Sequence, residues 1–281
     1  MKNKEQNITE NKINPTNTFV GVDALVGLPP LQLNEIYNDD SFKLIERVPA
    51  KTVDLILEDM PYNTTACEWD VKIDLQLYWE TRLRILKPTG VVILTGSQPF
   101  TTDLINSNRK MFKYEWIWDK DQGSNIMNAK KQPLKVHENV LIFYNTFGTY
   151  NPQMRVANKF NIRPVTDGKS NIYGRETNHS DDYNNEARYP KSIYQYSCNL
   201  KEVNKVNREH PTQKPVGLFE YLIRTYTNEG DLVFDGFGGS GTTAIAAHKA
   251  KRNFIVIEKE KKYFDLAKRR LDNERAQLTM L

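Results

Sequence analysis

The sequence predicts an α/β fold: a doubly wound, mostly parallel sheet with helices on both faces. Three observations carry that expectation. Short apolar runs alternate with helical patterns on both sides of a polar middle segment. Two of those runs, "DLILE" and "VVILTG", are apolar without alternation, as in strands buried on both faces. A glycine-rich stretch then joins a third apolar run, "LVFD", to a helical pattern.

The elements follow in order. The first 33 residues are polar and Asn-rich and read as an arm without a core of its own. "NEIYN" (34–38) is a strand, and a helix runs from about Ser41 to Arg47. "TVDLILE" (52–58) is a stronger strand. Residues 74–87 carry a helical apolar stripe, which Pro88 and Gly90 should stop. "VVILTG" (91–96) is the next strand, a helix follows from about Pro99 to Asn108, and "YEWIW" (114–118) and "NVLIFY" (139–144) are late strands. From 145 to 209 apolar periodicity fades. That segment holds ten basic against seven acidic residues and reads as an insertion that carries recognition. Order returns near His210, with a helix over about Val216 to Asn228 and strand 232–235. A helix over about Gly241 to Ala250, strand 254–258 and a last helix to about Arg275 complete the chain. The expected divisions are therefore 1–33, 34–144, 145–209 and 210–281.

Composition excludes several classes. Net charge is +4 over 281 residues with pI near 8.8, so nucleic acid is allowed but not demanded. Four His and two Cys show no metal-ligand spacing, and a disulfide framework is not expected. No apolar stretch is long enough to span a membrane, and the N-terminus lacks the apolar core of a signal peptide.

Two stretches carry chemistry. In "VFDGFGGSGTTAIAAHKAKRNFIVIE" a strand ends at Asp235. Gly236, Gly238, Gly239 and Gly241 then let backbone approach a ligand, and Glu258 closes the next strand. As a P-loop the stretch fails, because Thr242 stands where Lys is required. As a dinucleotide fingerprint it matches at Gly236, Gly238 and Gly241, with Glu258 for the ribose; a tight turn without a ligand is the bland alternative. A nucleoside cofactor without phosphates, S-adenosylmethionine, suits Asp235 better. A carboxylate repels a pyrophosphate but accepts from an ammonium. The other stretch is "DLILEDMPYN", a buried strand that delivers Asp59, Met60, Pro61 and Tyr62 to its own carboxyl end. Ligands in open parallel sheets bind beyond those ends, so Asp59 and Asp235 can line one crevice.

"DMPY" (59–62) resembles the Asp-Pro-Pro-Tyr catalytic motif of amino-directed DNA methyltransferases, and "FDGFGGSGTT" (234–243) resembles their cofactor motif. The catalytic motif comes first, with the insertion between, which resembles the circularly permuted β-type arrangement of that family. The resemblance implies a seven-stranded S-adenosylmethionine-dependent methyltransferase sheet, with 34–38 as its third strand and 232–235 and 254–258 as its first and second. It implies that Asp59 and the backbone carbonyl of Met60 accept the hydrogens of the target amine. Pro61 would stiffen the loop and Tyr62 would face a base flipped out of the duplex. It also implies cofactor contacts from Asp40, Ser41, Asp59, Asp235, Gly236, Phe237, Gly238, Ser240, Gly241, Thr242 and Glu258. "HPTQKP" (210–215) adds His210, Thr212 and Lys214 on the methionine carboxylate. Ser41 could also simply cap its helix. Two departures stand out: Met60 and Gly236 each replace a proline.

Asp at position 59 resembles the N6-adenine enzymes, and N4-cytosine is the alternative. Cytosine ring methylation needs a Pro-Cys pair that neither Cys67 nor Cys198 provides. Lys110, Lys113, Lys120, Lys130, Lys131 and Lys135 are candidates for phosphate contacts, and Trp118 for holding the flipped base. Arg155, Arg163, Arg175 and Arg188 are candidates for base readout. The partners implied are double-stranded DNA, a second copy of the chain and a cognate restriction nuclease, in a bacterial or phage-infected cytoplasm. A nicotinamide-dependent oxidoreductase and a DNA-binding homologue that has lost catalysis are the competing readings.

Overall fold

The computed structural model describes residues 31–62, 72–156, 169–170, 175–176, 187–196 and 212–279. Cys67, Arg163, Cys198 and His210 lie outside them, as does nearly all of the N-terminal arm. The chain forms two compact units, one from residues up to Asn151 together with Ser192 onwards, the other Pro152–Lys191.

The first unit is built on one sheet. Its strands are β1 (Glu35–Asn38), β2 (Val53–Glu58), β3 (Leu86–Gly96), β4 (Phe112–Ser124) and β5 (Lys135–Phe143), then β10 (Ile193–Gln195), β11 (Leu232–Asp235) and β12 (Asn253–Glu258). Their spatial order is β1-β12-β11-β2-β3-β5-β4-β10. Pairing is parallel throughout, except that β5 runs antiparallel to both its neighbours. The first strand lies outside the last two, which is the permuted order that the motifs imply. Seven strands were expected; β10 is an eighth, contributed by a stretch expected to lie within the insertion.

Side-chain alternation divides two cores. Leu55, Leu57, Val91, Ile93, Val233, Phe254 and Val256 point to one face. There they meet α4 (Val216–Tyr226), α5 (Thr242–Lys249) and α6 (Lys261–Thr279) through Leu218, Leu222, Ile245 and Leu271. Ile56, Val92, Leu94, Phe234, Ile255 and Ile257 point to the other. That face is covered by α1 (Ser41–Leu44), α2 (Leu75–Ile85) and α3 (Phe100–Ser107), through Leu44, Tyr78, Trp79 and Leu104. Unbroken apolar strands are therefore buried on both sides, as their sequences predict.

Two local features depart from expectation. Pro88 and Gly90 do not lie between a helix and a strand. They sit inside β3, which opens with a bulge: Leu86 pairs with Val53, and Val91 with Leu55. The extra residues loop out, and Lys87 reaches back to Asp54 at 2.7 Å. Gly90 packs closely there: a Cβ would lie 2.6 Å from Leu86 Cδ1 and would have to displace that side chain. Second, Asp40, not Ser41, caps α1, accepting from the Phe42 N–H at 2.9 Å.

The second unit holds two short antiparallel pairs, β6 (Arg155–Val156) with β9 (Ala187–Arg188), and β7 (Lys169–Ser170) with β8 (Arg175–Glu176).

Candidate active site

β2 and β11 are adjacent and parallel, with Val233 opposite Leu55 and Phe234 opposite Ile56. From β2 the chain goes on to β3, and from β11 to β12, in opposite directions across the sheet. Such a reversal leaves a crevice beyond the carboxyl ends of the two strands. Asp59 leaves β2 at that point, and Asp235 ends β11. The Met60 side chain turns the other way and is fully buried among Leu94, Ile56 and their neighbours, so a residue that replaces proline anchors the loop in the core. The Tyr62 ring packs against Phe100, with centroids 5.2 Å apart.

Asp59 is held by three donors. Its Oδ1 accepts from the Tyr62 hydroxyl at 2.6 Å and from Thr95 Oγ1, and its Oδ2 accepts from Lys214 Nζ at 2.6 Å. Lys214 also faces Glu138 Oε2 at 3.4 Å, and Lys120 bonds Glu138 Oε1 at 3.2 Å. Burial alone would push the Asp59 carboxyl up. Lys214, Thr95 and Tyr62 outweigh it and hold the group below the usual carboxylate range. The same pairing overrides burial at Lys214 and holds its ammonium well above the ordinary value. The sequence reading puts Lys214 on a cofactor carboxylate; in this structure its ammonium is engaged by Asp59 and Glu138. Its backbone carbonyl meanwhile accepts from Thr242 Oγ1 at 3.1 Å, at the start of α5.

The glycine loop is tied at both flanks. Asp235 accepts from the Phe237 N–H at 2.8 Å and from Thr243 Oγ1. Burial, reinforced by the nearby Glu58, pushes its carboxyl up to about 8. Glu258 accepts from Gly239 N at 2.6 Å and Glu260 N at 2.7 Å. Ser240 Oγ lies 3.3 Å from Thr242 Oγ1. Gly238 admits no side chain, since a Cβ would sit 2.4 Å from Val256 Cγ1, and Gly241 has φ +79°. Asp40 and Ser41 follow β1, two strands along, and Phe42 meets Phe237 edge to face at 6.4 Å. The carboxyl ends of β1, β12, β11 and β2 thus bring together Asp40, Ser41, Glu258, the glycine loop and Asp59. Thr212 is exposed.

Sequence reasoning missed one element beneath this loop. Glu58, the last residue of β2, is fully buried against Arg82 at 3.2 Å. Its Oε1 also accepts from Gly236 N at 2.9 Å, and Arg82 Nη2 donates to Ser41 Oγ at 3.0 Å. The guanidinium lies among the rings of Phe42, Tyr78 and Phe237, 4.6 to 5.3 Å from their centroids. One buried pair so joins α1, α2, β2 and the glycine loop. The signal available was a charged residue inside the apolar stripe of α2, flanked by Tyr78, Trp79 and Ile85.

One expectation is corrected. Trp118 is buried, and its indole N–H donates to the Tyr196 carbonyl at 3.0 Å, so it packs the sheet and is not available to a base. Lys120 neutralises Glu138, and Lys113 lies 5.2 Å from the Tyr144 ring centroid. Lys110, Lys130 and Lys131 are exposed. In the second unit, Arg155 bonds the Tyr189 carbonyl and Arg188 the Ala187 carbonyl.

Residues 53–269 match the DNA methylase family N6_N4_Mtase. The chain belongs to that family. This DNA methylase is 28% identical over 248 residues to the type II methyltransferase M.HpaI of Haemophilus parainfluenzae, covering 84% of this chain and 73% of that one. It is 28% identical over 250 residues to the DNA adenine methyltransferase YhdJ of Escherichia coli, covering 84% and 82%. Its fold resembles that of M1.HpyAVI in complex with SAM, with a TM-score of 0.56, 23% identity, and 84% and 99% of the two chains covered. The nicotinamide reading of the glycine loop gives way to this assignment.

Proposed function

We propose that this DNA methylase transfers the methyl group of S-adenosylmethionine to the N6 amino group of adenine in double-stranded DNA, with Asp59 as the residue that receives the amine. One observation carries the reading. A carboxylate kept charged by Lys214, Thr95 and Tyr62 opens the crevice at the switch point of the sheet, one strand from the glycine loop. The relationship to the adenine enzyme YhdJ supports adenine, as does Asp at position 59.

The donor set fits the cofactor. Two acidic residues, Asp235 and Glu258, end the strands beside the glycine loop, and the cations near it are engaged, Arg82 by Glu58 and Arg270 by the Ser240 carbonyl; this suits a nucleoside with an ammonium and not a polyphosphate. Glu258 would take the ribose hydroxyls and Asp235 the ammonium. Asp40, Ser41 and Phe237 would surround the adenine ring, backed by Gly236 and Gly238. Ser240, Gly241 and Thr242 would shape the turn, and Thr212 with His210 would meet the carboxylate. When bound, S-adenosylmethionine supplies a methyl group on a positively charged sulfur. An adenine amine is conjugated with its ring and is a weak nucleophile. Asp59 and the Met60 carbonyl accept its two hydrogens and so favour a tetrahedral nitrogen with its lone pair free. Tyr62 offers a flat surface to the flipped base, and stacking of this kind is worth about 1–3 kcal/mol per base. Similarity to type II enzymes such as M.HpaI supports a cognate restriction nuclease as partner; a homodimer rests on the β-type motif order alone.

The test is to incubate the protein with radiolabelled S-adenosylmethionine and mixed-sequence duplex, digest to nucleosides and identify the labelled one. Label should appear in N6-methyladenine. Asp59→Ala should lower the rate by about a hundredfold or more while cofactor binding persists. Label in N4-methylcytosine would overturn the choice of base.

A further inference from the structure

The β4–β5 hairpin carries apolar side chains where a soluble protein gains nothing from them. Gly96 ends β3 and pairs with Asn139, while β5 begins four residues earlier, at Lys135. The hairpin therefore continues about 13 Å past the carboxyl edge of β3, at about 3.3 Å per residue. That is the edge where Asp59 lies, because Glu58 pairs with Leu94 and Thr95 bonds Asp59. The base of the hairpin is fastened to the crevice through Glu138 and Lys214.

Its tip is a built structure. Asn125 takes a left-handed conformation, with φ 67°, and a short 3-10 turn, Ile126–Asn128, follows. Backbone bonds from Asn128 to Asn125, Ala129 to Ile126 and Lys131 to Asn128 close it at 2.8 to 3.0 Å. This turn lifts Ile126 and Met127 outward, 74% and 99% exposed, with Leu134 and Val136 partly exposed below. Lys130, Lys131 and Lys135 flank them, and no acidic residue occurs between positions 122 and 136. A protruding apolar tip in a purely basic collar is matched by a polyanion with an apolar interior, and stacked duplex DNA is one.

We propose that Met127, backed by Ile126, enters the base stack at the step opened by the flipped adenine, while Lys130 and Lys131 hold the adjoining phosphates. The inference rests on the reading of Asp59 as the acceptor of a flipped base. An extruded base leaves an unstacked gap, and apolar side chains, methionine and leucine among them, insert between base steps.

The test compares two duplexes that carry the methylation site mapped with the wild-type protein. In one the target adenine faces thymine; in the other it faces an abasic site and needs no unpairing. Met127→Ala should lower kcat/KM on the paired duplex by about tenfold or more and on the abasic duplex by less than about threefold. Met127→Leu should restore the paired rate. Equal losses on both duplexes, an unchanged rate on the paired one, or a change of oligomeric state with no difference between duplexes would each overturn the wedge. If the wild-type protein methylates no adenine, the underlying reading fails first, and that result needs no variant.

Discussion

The ammonium of Lys214 lies 2.6 Å from Oδ2 of Asp59, although 155 residues separate them in the chain. Its side chain is only 9% exposed, and a second carboxylate, Glu138, faces it from β5. The carbonyl of the same lysine is bonded by Thr242 at the head of α5. One residue thus connects the catalytic loop, the cofactor turn and the base of the β4–β5 hairpin.

Removing that cation should move the acid limb of the rate profile. Asp59 must be charged to accept an amine hydrogen, so activity is lost as pH falls through its folded-state pKa. Lys214, Thr95 and Tyr62 at present override burial and keep that value below the ordinary one. In Lys214→Met the largest lowering influence disappears and burial dominates. The acid limb should then shift to higher pH, with the rate falling about tenfold per unit below the new pKa. Profiles of kcat against pH for the two proteins decide it; parallel profiles would leave Lys214 without this role.

The buried pair below the loop supports a stability prediction. Arg82 and Glu58 have fully buried side chains. Arg82→Met should leave Glu58 charged and unpaired in the interior and destabilise the fold by about 3–5 kcal/mol. Glu58→Gln added to it should cost less than the sum of the two single changes, because the second removes the stranded charge. Urea unfolding of the three variants measures this, and strict additivity would contradict the coupling.

What could be read in advance follows from where physical constraint is local. The unbroken apolar runs of β2, β3, β11 and β12 announce strands buried on both faces. Asp59 and Asp235 stand at the ends of two of them, so the crevice was legible before any pairing was known. Pro88 and Gly90 misled because a β-bulge tolerates the residues that end a helix. Trp118 misled because an aromatic residue beside lysines looks like a base clamp, whereas β10 arrives from far along the chain to bury it. Arg82 showed in the sequence only as a charge inside the apolar stripe of α2; its partners Glu58 and Ser41 come to it only through the sheet order.

Asp235 combines both lines of argument. Its side chain accepts from Phe237 N and Thr243 Oγ1, yet burial and the nearby Glu58 push its carboxyl up to about 8. The folded protein therefore keeps this proton at neutral pH, whereas the unfolded chain, with an ordinary value of 3.8, has lost it. Between those two values the native state binds more protons. Stability from this group is full below the unfolded value and falls as pH rises through the folded one, by at most about 1.4 kcal/mol per pH unit. Asp235→Asn should flatten that part of the stability curve, measured by urea unfolding at several pH values. The carboxylate is also the proposed acceptor of the cofactor ammonium, and a cation beside it would stabilise its charged form. Cofactor binding at pH 7 should then release close to one proton, seen calorimetrically as a dependence of binding heat on the buffer's ionisation enthalpy. That release should shrink as pH passes about 8 and be missing in Asp235→Asn. Binding with no proton release at pH 7 would separate Asp235 from the ammonium and leave its proton a purely structural feature.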